Sequence, residues 1–232
     1  MNTKMSGVLC FMLAVVITAG LGSSALADIV AIDFGESDNT GDFIQPGFDE
    51  FHQLNNPETY NGITVQVAGV GASGLTDRLR SSPPNAGAFD ESLLLRDFMF
   101  NDNSNEASEG IDVTVSGLTA NTSYSVSLWA YDGATDNPGG NPNRIANWSA
   151  NGTQVIFAET SVGAAPLSND TYRHDFTATS NGSGVIVFTG REAGSATGVL
   201  INGLRIVPEP ASLVLVGLGL LGFSGLVHRP RG

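Results

Sequence analysis

Short bursts of alternating apolar and polar residues, separated by clusters of Gly, Asn, Asp, Ser and Pro, run through the chain from Ile29 to Ile206. A period of two sends successive side chains to opposite faces of an extended backbone, whereas a helix needs apolar residues three and four apart. No segment in this region carries a convincing helical repeat, so the pattern dictates strands. Ten are expected: Ile29–Phe34, Ile63–Val67, Leu93–Phe100, Ile111–Val115, Ser123–Tyr131, Arg144–Ser149, Gln154–Ala158, Tyr172–Thr179, Gly184–Phe188 and Gly198–Ile206. Strands this short, with turn signals between them, predict an all-β fold, a single β-sandwich or jelly-roll domain. Asn-x-Ser/Thr triplets at Asn121, Asn147, Asn151, Asn169 and Asn181 suit surface turns.

The two ends read differently. Lys4 precedes an apolar stretch from Val8 to Leu21, and Ala25-Leu26-Ala27 follows, which predicts a signal peptide over residues 1–27 with cleavage after Ala27. Cys10 lies inside that stretch, so the mature chain has no cysteine and no disulfide. At the other end Ala211 to Val227 carries no charge. Seventeen helical residues span roughly 26 Å, just short of a ~30 Å hydrocarbon core, so a marginal transmembrane helix is expected. Arg229 and Arg231 beyond it place the tail in the cytoplasm and the acidic domain outside.

Pro208-Glu209-Pro210, then Ala211, an apolar segment and a terminal basic pair, resembles the PEP-CTERM sorting signal. The resemblance covers 207–232 and implies a Gram-negative cell, the secretion machinery, and an exosortase-type sorting enzyme that recognises Pro208, Glu209 and Pro210. It also implies transient membrane tethering and final delivery to the cell surface or beyond. The two prolines fit this, because they deny the backbone a helix and keep the motif extended. The basic tail is sparser than the family usually shows.

Between the ends, residues 28–206 form one domain's length. It carries 22 acidic residues against seven arginines and no lysine, a net charge of −15. A surface of that sign repels nucleic acid and anionic lipid and favours solubility outside the cell.

The order of the last third resembles the malectin-like and galactose-binding-like jelly rolls of carbohydrate-binding modules. Its parts are Arg144 to Val155 with its Asn151-Gly152 turn, Tyr172–Thr179, and a closing strand containing Ile201-Asn202-Gly203. Val30-Ala-Ile-Asp-Phe-Gly35 resembles their opening strand. The resemblance implies a fold and a binding class but transfers no ligand residue. The turn Gly117-Leu-Thr-Ala-Asn-Thr-Ser-Tyr124 is similar to turns of fibronectin type III modules, which speaks to architecture alone.

Sugar binding needs aromatic faces with fixed polar groups at the rim. Along Ser123–Tyr131, alternation puts Tyr124, Val126, Leu128 and Ala130 on one face and Ser125, Ser127, Trp129 and Tyr131 on the other. If the first face is the core, Trp129 and Tyr131 point outward and Trp148 could join them, with Asp132 and Arg144 at the edge of the platform. The alternative is that a loop or second sheet covers them. Asn101–Glu106 and Asp132–Asn137 offer the oxygen ligands calcium prefers, with Asp102, Asn103 and Asn105 the first choice; the alternative is solvated turns. No nucleophile elbow, His-Glu-x-x-His or P-loop is present, and the mature chain keeps only His52 and His174. The chain is therefore expected to be no enzyme but an exported carbohydrate-binding-like protein associated with extracellular polysaccharide, as in a biofilm. A purely structural or adhesive role, or a glycan-active enzyme, are the alternatives.

Overall fold

A computed structural model describes residues 30–35, 43–53, 56–71, 74–80, 86–101, 108–133, 144–160, 165–193 and 198–209. The signal peptide, the apolar segment 211–227 with Pro210 before it, and the proposed calcium ligands Asp102, Asn103 and Asn105 lie outside these residues. Among the described residues no helix is long and apolar enough to cross a membrane.

Among the described residues fourteen strands form three sheets. A five-stranded sheet contains β1 (Val30–Phe34), β2 (Asp49–Phe51), β8 (Ser123–Trp129), β11 (Arg173–Thr179) and β14 (Gly203–Pro208), in the order β11-β8-β14-β1-β2. A six-stranded sheet contains β3 (Glu58–Tyr60), β4 (Ile63–Val70), β7 (Gly110–Ser116), β9 (Ile145–Ala150), β10 (Thr153–Thr160) and β12 (Ile186–Glu192), in the order β10-β9-β12-β7-β4-β3. A smaller sheet has β6 (Asp97–Asn101) at its centre, between β13 (Val199–Ile201) and β5 (Leu75–Leu79). Pairing is antiparallel except between β1 and β2.

The two large sheets face each other across one core. Val30, Ile32 and Phe34 from β1, Val126 and Leu128 from β8, and Leu204 and Ile206 from β14 meet Val65 and Val67 from β4, Val113 and Val115 from β7, and Ile186 and Phe188 from β12. These are the inward members of the alternating pattern, and burying them out of water is the main force holding the sandwich closed. A second cluster lies on the outer side of the five-stranded sheet, where Phe48, Leu94 and Leu95 cover Ala31, Trp129 and Tyr131. That cover explains why every residue of β1 is buried.

The structure refines several expected strands. The one expected from Leu93 begins at Asp97, because Leu93 to Arg96 form a turn closed by the Arg96 amide on the Leu93 carbonyl at 3.0 Å. The last expected strand breaks in two at Asn202, where the chain passes from the small sheet to the five-stranded one. Asn202 is fully buried and ties the switch together. Its Oδ1 accepts the Tyr131 amide at 2.5 Å, its Nδ2 donates to the Asp97 carbonyl at 2.7 Å, and its own carbonyl accepts the Phe34 amide at 2.8 Å. The short strands β2, β3 and β5 escape the sequence reading, because three to five residues on sheet edges leave too little alternation to see.

All strands of the sandwich end at one of two poles. At the first lie the turn Asn61-Gly62, the connection 117–122, the turn Asn151-Gly152, the connection 180–184 and the C-terminal end of β14. Asn61 and Gly62 have φ of 51° and 87°, and Asn151 and Gly152 have 48° and 79°, the left-handed pairs that two-residue hairpins require and Asn-Gly best supplies. Backbone bonds join these turns: Leu118 to Gly184 at 3.0 Å, Asn121 to Asn181 at 3.2 Å and Ser180 to Thr122 at 3.0 Å.

Candidate functional site

The predicted aromatic platform does not exist as a surface. Trp129, Tyr131 and Trp148 are all buried, with relative exposures of 0%, 2% and 0%. The alternation along β8 is as expected, but the outer face is divided into a covered half and an open half. Trp148 projects from β9 into the main core, while Trp129 lies in the outer cluster, on the other side of the five-stranded sheet. Trp129 meets Phe48 edge to face at 5.6 Å, and its Nε1 donates to Glu91 Oε2 at 3.1 Å. Tyr131 packs on Tyr172 at 4.5 Å. A sequence shows that a face is opposite the core; it does not show that residues 43–48 and 89–95 fold back over part of it.

Asp132 and Arg144 do come together, in a structural cluster. Asp132 is 2% exposed and takes Arg80 Nε on Oδ1 at 2.8 Å and Arg80 Nη2 on Oδ2 at 3.1 Å, with Arg144 Nη1 at 3.8 Å from Oδ2. The guanidinium of Arg144 stands 5.4 Å from the Phe100 ring centre and that of Arg80 5.7 Å from Phe98. Nearby, Asp97 is buried on the central strand β6, and the Arg96 guanidinium stacks 3.7 Å over Phe43. His174 is half-buried on β11, and burial holds its pKa below the ordinary histidine value, so it stays neutral near pH 7.

A buried carboxyl that sequence reading passed over is Asp33. It lies under the covering segment, 1% exposed, and its Oδ2 accepts the Gln45 amide at 2.7 Å. Burial pushes its pKa up to about 7, against the Gln45 amide that lowers it and with Glu50 raising it further. The folded state thus holds a proton between about pH 4 and 7 that the unfolded chain has lost, so this group's stabilisation is present at low pH and disappears as pH rises through 7. Thermal melts from pH 5 to 8 are expected to show Tm falling, and Asp33→Asn, which keeps the acceptor for Gln45, flattens that slope.

The open half of the outer face lies over β8 and β11. Ser125, Val126, Ser127, Asp175, Phe176 and Thr177 line a shallow depression of about 430 Å³. Ser127 Oγ donates to Asp175 Oδ1 at 2.6 Å, and Arg173 Nε donates to Asp175 Oδ2 at 3.0 Å. At the rim sits the start of the expected sorting motif. β14 continues through Pro208, which pairs with Tyr124, so the domain runs two residues past the boundary expected at Ile206. The Glu209 amide donates to the Ser123 carbonyl at 3.1 Å, and Glu209 Oε1 accepts Ser125 Oγ at 2.5 Å and Thr177 Oγ1 at 3.4 Å. The motif is extended, as its prolines demand, but its first two residues are docked on the sheet.

The open face of the six-stranded sheet is broader and, among the described residues, carries no aromatic cover. Its register sets Ser149, Thr189 and Asp112 in one row and Val187, Thr114 and Gln66 in the next. Arg191 Nη1 pairs with Asp112 Oδ1 at 2.7 Å. On the edge strand β10, Phe157 is 77% exposed.

These features define an all-β jelly-roll domain continuous with a C-terminal sorting segment. Residues 207–229 match the family model described as the PEP-CTERM protein-sorting motif, a stretch that includes Pro208, Glu209 and Pro210. No curated protein sequence matches the chain. Among solved structures the chain is similar to that of the plant peptide RALF23 in complex with FER and LLG2, with a TM-score of 0.53 and 10% identity over 78% of this chain and 48% of that one. It is also similar to the ANX2 ectodomain from Arabidopsis thaliana, with a TM-score of 0.51 and 10% identity over 78% and 49%. The chain spans about half the length of these structures. At such identities the likeness establishes the jelly-roll fold alone.

Proposed function

We propose that the chain is an exported protein, processed by an exosortase-type enzyme, whose jelly roll is a non-catalytic binding module for polysaccharide at or beyond the cell surface. The observation that carries this reading is the sorting motif at 207–229 joined to a binding-type fold with no intervening linker. The buried aromatics take no part. The binding face proposed instead is the open side of the six-stranded sheet, where Phe157 offers a ring for sugar C–H groups and Ser149, Thr189, Thr114 and Gln66 offer hydroxyl and amide partners. A glycan array with the secreted domain, with and without calcium, tests it. Binding is expected, and Phe157→Ala is expected to abolish it while changing stability by less than about 0.5 kcal/mol. Absence of any bound glycan sinks this reading and leaves the structural or adhesive one. Release of reducing ends from polysaccharide contradicts the non-catalytic part.

Processing has a structural threshold of its own. A sorting enzyme that draws the motif into an extended site has to lift Glu209 from Ser125 and Thr177. Exposed hydrogen bonds of this kind contribute on the order of 1 kcal/mol each, so Ser125→Ala with Thr177→Val is expected to speed conversion of precursor to mature protein by up to roughly thirtyfold. Pulse-labelling of producing cells measures it; an unchanged rate means that the docked motif does not limit processing.

A further inference from the structure

The pole from which the chain leaves towards its apolar segment is uncharged, in a protein whose surface is otherwise strongly acidic. Residues 61–62, 117–122, 151–152 and 180–184 contain no Asp, Glu, Lys, Arg or His. Their polar groups are hydroxyls and amides largely engaged with one another. Ser180 Oγ donates to the Thr119 carbonyl at 2.6 Å, Asn151 Nδ2 donates to the Thr179 carbonyl at 2.9 Å, and Asn181 Oδ1 accepts the Ser183 amide at 2.9 Å. Among the described residues, the one carboxylate that enters this end is Glu209 of the sorting motif, already taken up by Ser125 and Thr177. Glu58 is set back from Asn61 by Thr59 and Tyr60, and its Oε2 accepts Tyr60 Oη at 2.8 Å.

The opposite pole is the reverse. Glu109, Asp132, Arg144, Asp170, Arg173 and Glu192 all lie at the strand ends or in the connections there. The seven residues of β8 separate the poles by about 23 Å at ~3.3 Å per residue. That exceeds the Debye length of about 8 Å at physiological ionic strength, so charge at the far pole is not felt at the near one.

We propose that the uncharged pole is a membrane-facing surface, seated on the bilayer headgroups while the protein is tethered. Only Pro210 separates the docked Glu209 from the first residue of the apolar segment, Ala211. One extended residue reaches only ~3.5 Å, so with that segment inserted the turns 117–122 and 180–184 meet the headgroup layer. A carboxylate there would be repelled by anionic lipid, and an arginine would be pulled down onto it. An uncharged cap of satisfied hydroxyls and amides does neither and leaves the motif free to be lifted from the sheet. The proposal rests on the reading of 211–227 as a membrane segment.

The test uses the full chain in a Cys10→Ser background, reconstituted into phosphatidylcholine–phosphatidylglycerol vesicles with a headgroup spin label that quenches fluorescence. A fluorophore is placed at Ala120→Cys or Ser183→Cys on the uncharged pole, or at exposed Leu167→Cys on the other. Loss of most emission at the first two and none at the third is expected. Adding carboxylates at the pole, Thr119→Glu with Gly182→Glu, is expected to reverse the loss on anionic vesicles and not on neutral ones. A chain that fails to float with vesicles overturns the membrane segment and the proposal together. Flotation with equal emission at all three positions overturns the orientation alone.

Discussion

Trp148→Ala is expected to cost the domain about 3–5 kcal/mol, the range for deleting a fully buried large aromatic side chain. For a domain of this size that lowers Tm by roughly 10 °C or more. The indole fills the core beneath the six-stranded sheet, and its ring is close enough to β12 that a Cβ built on Gly190 stands 2.8 Å from Cζ2 and Cη2. The absence of a side chain at Gly190 leaves the space that the ring and Val199 Cγ1, also 2.8 Å from that Cβ, fill together. Calorimetry of the secreted domain checks the figure. An unmoved Tm accompanied by lost glycan binding would return Trp148 to the surface role the structure denies it.

Asp132→Ala is expected to be of the same order, about 3–5 kcal/mol, because it removes a buried carboxylate from the arginines that pair with it rather than one half of an exposed ion pair. Arg80 and Arg144 are 14% and 11% exposed, and Asp132 is the carboxylate they converge on. The same replacement at a solvent-exposed pair would cost 1 kcal/mol at most. Urea unfolding at low and high salt separates the cases: a buried cluster keeps its effect in high salt, since screening does not reach it. A loss that vanishes with salt would make Asp132 a surface residue free for ligand, contrary to its burial.

Trp129 and Tyr131, expected in a ligand platform, stand on the face that alternation gives them, and alternation carries no information about what lies above that face. Alternation along Ser123–Tyr131 placed Ser125, Ser127, Trp129 and Tyr131 on one face, and they are on one face. Whether that face is wet depends on residues 43–48 and 89–95, at least 28 positions away in sequence. Their hydrophobic members Phe48, Leu94 and Leu95 carry no local sign of their destination. Asp33 illustrates the same limit from the polar side. In the sequence it is an ordinary outward strand residue, and only the covering segment turns it into a carboxyl with a pKa near 7. Phe157 is the converse, one more strand apolar by pattern, left uncovered because β10 is the edge.

The sequence alone determined the fold class, the position of the C-terminal sorting motif and the Asn-Gly turn at residues 151–152, because each rests on chemistry within a few residues: alternation, proline, and the left-handed tolerance of Asn and Gly. Tertiary structure alone decided that the tryptophans are core, that Pro208-Glu209 is the last step of a central strand, and that the turns around it form one uncharged cap. These depend on which distant segments meet, and meeting is settled by the burial of long-range apolar surface, which no short window of residues contains.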